Sequence, residues 1–138
     1  MDVEVVTERI IGAAMEVSTV LGPGFLERVY RRALGEELRI RGVAVEEEVH
    51  FRIGYKQRCV GEYVADMVVD GQVIVELKCA EFITNEHVAQ TLNYLKAADL
   101  TVGLILNFQR PRLQWKRVVM NYEPALKFSP PMDADGRR

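Results

Sequence analysis

The segment VADMVVDGQVIVELKCA, Val64–Ala80, constrains the fold more than any other part of the chain. Two runs of Val, Ile, Met and Leu flank an Asp-Gly turn, and runs apolar on both faces belong in the middle of a sheet covered by helices. Yet Asp66, Glu76 and Lys78 interrupt them, and charged side chains are almost never fully buried unless paired with one another or with a metal. Glu76 and Lys78 alternate along one strand and share a face. Whether Asp66 joins them depends on the turn. A two-residue Asp70-Gly71 loop pairs Val69 with Gln72, sets Asp66 opposite Val75 and leaves Glu76 on the other face. A three-residue loop, Val69-Asp70-Gly71 with Gly71 left-handed, pairs Val68 with Gln72. Asp66 then lies opposite Ile74, diagonal to Glu76 and on its face. Convergence of the three charges therefore requires an odd-length loop or a bulge.

The remaining sequence supplies the cover. Residues 3 to about 20 place Val6, Ile10, Ala13, Ala14 and Val17 at helical spacing. The LGPG turn, Leu21–Gly24, ends that helix. A second helix is expected from about Phe25 to Arg41, with Leu26, Val29, Tyr30, Ala33, Leu34 and Leu38 on one side and Gly42 as its stop. From Val45 the period becomes two, and Val49, Phe51 and Ile53 alternate with Glu48, His50 and Arg52 in a half-exposed strand. Strands apolar on both faces follow at about Val60–Val69 and Val73–Cys79. Asn85 is the expected cap of a helix from about Glu86 to Ala98, and Thr101–Phe108 and Trp115–Met120 read as two further strands. Helix, helix, three strands, helix, strand, strand describes a mixed β-sheet flanked by helices, an α/β fold. We expect one domain over residues 1–122 and a C-terminal tail at 123–138, disordered at its end because it has little to bury.

A chain of 138 residues, 49% hydrophobic and 28% charged, can bury a core without disulfide or metal staples. No apolar run reaches the roughly 20 residues of a membrane span. Asp2, Glu4 and Glu8 argue against a signal or transit peptide, so a cytoplasmic location is expected, with no membrane partner. Two cysteines, Cys59 and Cys79, make neither a disulfide framework nor a four-cysteine cluster, and both are expected as buried thiols in strands. The net charge of −2 provides no overall basic field for nucleic acid, so such binding would need a local patch, a metal or a partner. His50 and His87 are expected at the surface.

Two carboxylates held by rigid strands suit a hard divalent cation such as Mg²⁺, and a neighbouring lysine can orient or deprotonate a water and offset phosphate charge. The competing possibility is a Glu76–Lys78 ion pair on a solvated face. In HVAQTLNYLKA, Gln90 and Tyr94 are four apart on one helix face, able to meet a phosphate or simply to pair with each other. In GFLERVY, Gly24–Tyr30, Glu27 falls in the first turn of a helix, where it could also cap free amides. Arg28, Arg31 and Arg32 form a basic cluster nearby, which either contacts phosphates or lies on a solvated face.

Asp66, then nine residues, then Glu76-x-Lys78, then a helix with Gln90-x-x-x-Tyr94, resembles the PD-(D/E)XK nuclease superfamily, in particular its exonuclease-type branch. GFLERVY is similar to the signature of the GxxExxY family of that superfamily. The resemblance runs from about Val5 to Met120 and implies a restriction-endonuclease-like αβββαβ core preceded by an extra helix. It implies Asp66, Glu76, the Leu77 carbonyl and Glu27 as ligands of Mg²⁺ or Mn²⁺, Lys78 as the catalytic lysine, and Gln90 and Tyr94 as residues orienting phosphate or the site. Val64-Ala65 stands where the superfamily's name would place a proline before Asp66.

The function so implied is metal-dependent hydrolysis of phosphodiester bonds in nucleic acid, with DNA the expected substrate. The alternative is a nuclease fold that binds or regulates without cutting. A homodimer would let two protomers grip both strands of a duplex, with Trp115 and Phe82-Ile83 as candidate contacts.

Overall fold

The structure, a computed structural model, describes residues 1–121. The expected tail at 123–138 lies outside the described residues. The elements are α1 (Val3–Leu21), α2 (Glu27–Ile40), β1 (Val45–Tyr55), β2 (Arg58–Val69), β3 (Val73–Lys78), α3 (Asn85–Ala98), β4 (Val102–Asn107) and β5 (Gln114–Val119). The strands form one sheet in the order β1-β2-β3-β4-β5. β3 and β4 are parallel, as the intervening helix requires, and the other pairs are antiparallel. This is the mixed sheet flanked by helices expected from the sequence. No helix among the described residues is long and apolar enough to cross a membrane.

The alternation of strand side chains divides the core. Met67, Val75, Leu77, Leu104 and Leu106 meet Ile10, Leu34 and Leu38 of α1 and α2 on one face. Ala65, Val68, Ile74, Ile105 and Val118 meet Leu95 of α3 on the other. Gly103 lets α3 come close: a Cβ there would stand 2.8 Å from the Thr91 methyl and 3.4 Å from the Ile74 carbonyl oxygen.

Several local expectations are corrected. α2 begins at Glu27, and Phe25 and Leu26 are exposed. The cap of α3 is Thr84 instead of Asn85: its side chain accepts from the His87 amide, and the His87 ring accepts from the Thr84 amide. His87 is thus half of a capping box, a role a ring nitrogen fills in place of the usual Glu or Gln. Val60 and Val64 are exposed, because only the last residues of β2 have β3 alongside them. Cys59 is exposed and Cys79 lies half-buried just past β3, so neither is a thiol sealed within a strand.

Candidate metal centre

The hairpin loop has three residues, the odd length that convergence requires, but they are Asp70, Gly71 and Gln72, with Val69 paired to Val73. Asp70 and Gly71 both take positive φ, and the Gln72 amide donates to the Val69 carbonyl at 3.0 Å, so Gln72 is the additional residue. The register is therefore shifted from the expected one. Asp66 lies at the level of Glu76 directly, not opposite Ile74.

The β2–β3 pairing stops just short of that level, at Met67↔Val75. Across β2 the β1 ladder is interrupted at the same level, where Glu48 takes φ of 52° between the pairs Glu47↔Met67 and Val49↔Ala65. Such a conformation is uncommon for a residue with a side chain. Asp66 thus sits where the sheet forks, and carboxylates substitute for the lost ladder bonds. The Leu77 amide donates to Asp66 Oδ2 at 2.8 Å, and the Asp66 amide donates to Glu76 Oε2 at 3.1 Å. This explains why an apolar hairpin holds a buried acid, Glu76, and a half-buried one, Asp66: each satisfies a main-chain donor that would otherwise be orphaned.

Electrostatically the pair is uncomfortable. Glu76 is only 3% exposed, and its carboxyl is raised from 4.5 to about 8, first by burial and next by the charge of Asp66. Asp66 is also raised, by burial above all, while the Leu77 amide pulls the other way. No described residue donates a hydrogen bond to Asp66 Oδ1 or Glu76 Oε1. The backbone supplies a third oxygen. Lys78 O accepts from Phe108 N on the β4 side, so the Leu77 carbonyl, one residue earlier, faces the β2 side and the fork.

A site of two repelling carboxylates, free oxygen lone pairs and a carbonyl fits a hard divalent cation that keeps several waters. It does not fit a metal caged by side chains alone, since no group of three His, Cys, Asp or Glu placed to hold an ion occurs among the described residues. Glu27, expected as a further ligand, does not complete such a group. Its carboxylate is close enough to raise Asp66 and Glu76, but it accepts from the Cys79 amide at 3.2 Å. It does not cap α2, whose N-terminus has no side-chain cap.

Lys78 shares the face of Glu76 but makes no ion pair with it. Its Nζ donates to Gln90 Oε1 at 2.8 Å, and Gln90 Nε2 donates to the Tyr94 hydroxyl at 3.3 Å. The Gln-x-x-x-Tyr pair is thus neither a detached surface pair nor independent of the strand. Burial, then the charges of Glu76 and Asp66, raise the Tyr94 hydroxyl, placing it within the same field. Its ring lies 5.1 Å from that of Tyr63 on β2, which ties α3 to that strand.

The GFLERVY segment is held by Tyr30, which is fully buried. Its hydroxyl donates to the Gly22 carbonyl at 2.6 Å and accepts from Phe25 N at 3.1 Å. Its ring stacks on Phe108 at 4.7 Å. Tyr30 therefore ties the turn before α2 to the end of β4 and positions Glu27 beside β3. Arg31 is not available to phosphate: it lies 3.5 Å from Glu47 and 3.6 Å from Glu48, bracing the irregular part of β1. Arg28 and Arg32 are exposed.

Two site-shaping features went unread in the sequence. Glu48 carries no signal of its positive φ. Asn107 is fully buried, accepts from the Ala80 amide at 3.1 Å and donates to the Ala80 carbonyl at 2.7 Å. A polar residue closing the apolar run TVGLILNF was the available clue.

A family model described as the PD-(D/E)XK nuclease superfamily matches residues 4–118. Among solved structures, the crystal structure of a protein called SSO0001 is similar, with a TM-score of 0.52 at 16% identity. The match covers 72% of this chain and 52% of the other, so the likeness concerns the fold and spans about half of that protein. No curated protein sequence matches the chain.

Proposed function

Because the chain belongs to the PD-(D/E)XK nuclease superfamily, we propose that it is a nuclease dependent on Mg²⁺ or Mn²⁺, with DNA as its substrate, acting in the cytoplasm through a single domain over residues 1–122. The observation that carries this is the fork itself: a buried carboxylate and a half-buried one, each with an oxygen that accepts from no described donor, beside a lysine that is held but not neutralised. The GFLERVY segment further supports the GxxExxY branch, since Glu27 reaches the end of β3.

Asp66, Glu76 and the Leu77 carbonyl would hold the ion, with Glu27 acting from farther out, directly or through water. When bound, the ion supplies a lowered water pKa and stabilises negative charge on phosphorus-bound oxygens. Lys78, limited to donating, holds the Gln90 carbonyl toward itself, while the Gln90 amide is spent on Tyr94. That relay fixes the ammonium near the acids, where it would orient the attacking water, whose oxygen bonds to phosphorus and whose proton passes to solvent, and would offset the phosphate charge as the P–O bond to the leaving group breaks. The departing oxygen takes a proton from solvent.

The test is cleavage of labelled DNA in Mg²⁺, Mn²⁺ or EDTA by the wild type and by Glu76→Gln and Lys78→Met. Metal-dependent cleavage lost in both variants supports the assignment. Cleavage at unchanged rate in the variants refutes it. If folded wild type binds DNA but never cuts it, the alternative holds, a binding module on a nuclease fold.

A further inference from the structure

Charge is unevenly distributed. Residues 100–122, LTVGLILNFQRPRLQWKRVVMNY, hold Arg110, Arg112, Lys116 and Arg117 and no acid, a net +4 in a chain of net −2, although Arg117 is paired with Glu4 of α1. β4, β5 and the connection between them fall within this stretch. The connection starts beside the proposed site: β3 and β4 end in register at Lys78↔Asn107, and Phe108 N donates to Lys78 O at 2.9 Å.

Two aromatic surfaces accompany the cations. Phe82, four residues after Lys78, is 55% exposed. Arg110 lies over its ring at 5.2 Å, fixed there because its Nε and one terminal nitrogen both donate to the Glu81 carbonyl. Trp115 is 43% exposed and lines an open groove of about 500 Å³ with Arg112 and with Met15, Ser18 and Thr19 of α1. Arg112 has no acidic partner among the described residues. Cations interleaved with exposed rings are what a single-stranded nucleic acid uses: phosphates meet the cations, and bases, each with a π-face, stack on the rings. A second copy of the chain fits less well, because an isologous contact would oppose basic surface to basic surface.

We propose that the Phe82–Arg110 platform and the Trp115–Arg112 groove form a binding ledge for a single-stranded segment of nucleic acid at the end of the sheet where β3 closes on Lys78, the groove lying on the α1 face and the Asp66–Glu76–Lys78 site on the α3 face. The ledge accepts unpaired bases, so the favoured substrate has a single-stranded end or flap. This rests on the nuclease assignment above for its link to cleavage, but binding to the ledge is independent of cleavage.

The test is fluorescence anisotropy of labelled oligothymidylate, and of the same strand in a duplex, in EDTA to prevent cutting, across a salt series. The proteins are wild type, Trp115→Ala, Trp115→Phe and Arg112→Ala, each checked for an unchanged thermal melt. Trp115→Ala is expected to weaken single-strand binding roughly 10- to 100-fold, with Trp115→Phe restoring most of it. Arg112→Ala should reduce the salt slope by about 0.7. Unchanged affinity in these variants overturns the ledge and leaves the nuclease assignment standing. Ledge-dependent binding without cleavage in any metal does the reverse. Wild type that binds no nucleic acid overturns both, and a dimer that Trp115→Ala converts to monomer at unchanged oligonucleotide affinity assigns the surface to self-association.

Discussion

Replacing Glu76 by Gln should stabilise the metal-free protein, although it alters a buried residue at the centre of the site. Glu76 in the fold holds its proton from 4.5 up to about 8. Between those values the folded state binds more protons than the unfolded chain, so stability falls as pH rises through the window. Below 4.5 both states are protonated and nothing is lost; above about 8 the loss is complete. Integrated to pH 8, a rise from 4.5 to about 8 costs about 4 kcal/mol. That is a large share of the roughly 5–15 kcal/mol that holds a domain together. Gln keeps a carbonyl oxygen to accept from the Asp66 amide, so the substitution removes the charge and spares the bond. The assay is urea unfolding in EDTA at pH 5 and pH 8. The two proteins should be close at pH 5, and the variant more stable by a few kcal/mol at pH 8, which in a thermal melt is roughly 10 °C or more. Mn²⁺ should raise the wild type and leave the variant unmoved. A variant no more stable than wild type at pH 8 would refute the claim that Glu76 is buried against its own charge.

Tyr30→Phe removes a hydroxyl that serves the Gly22 carbonyl and the Phe25 amide, and should cost about 1–3 kcal/mol in urea unfolding. Its cleavage rate should fall as well if Glu27 matters, whereas an equal loss of stability made in α1 would not touch the rate. Gly103→Ala forces a methyl against Thr91 and Ile74, and should destabilise by about 1–3 kcal/mol; an unchanged melt would show that α3 has room to move. Thr84→Ala should cost about 1 kcal/mol through the lost capping box, read as earlier fraying of α3 in amide exchange. Gln90→Ala should leave folding intact and lower cleavage by about 10- to 100-fold, since it removes the acceptor that positions the Lys78 ammonium; an unaffected rate would remove Gln90 from the mechanism.

The order of elements was legible in the sequence because each period is long and ends in a strong signal: LGPG after α1, Gly42 after α2, Asp-Gly in the hairpin. The shared face of Glu76 and Lys78 followed from alternation alone. The position of Asp66 did not, because it depends on a loop whose register differs by a single residue, and neither candidate loop was the one adopted. The fork was invisible for a related reason. It arises where β2 leaves β3 and where Glu48 distorts β1, and both are properties of pairing between strands far apart in sequence. Chemical type misled at Asn85 and Thr84, neighbours equally able to cap, where the choice fell to the residue three before His87. The arginines of α2 looked like a phosphate patch, but Arg31 is spent on Glu47 and Glu48 of β1.

The central claim is that the buried Glu76 and the half-buried Asp66 tolerate each other because a divalent cation completes their site. Calorimetric titration of Mn²⁺ into the wild type and into a folded Asp66→Asn/Glu76→Gln double variant, both at pH 8, tests it most directly. Binding in the wild type that disappears in the double variant is the expected result. Equal binding by both proteins, or none by either, would contradict it and leave the two carboxylates as fasteners of a forked sheet.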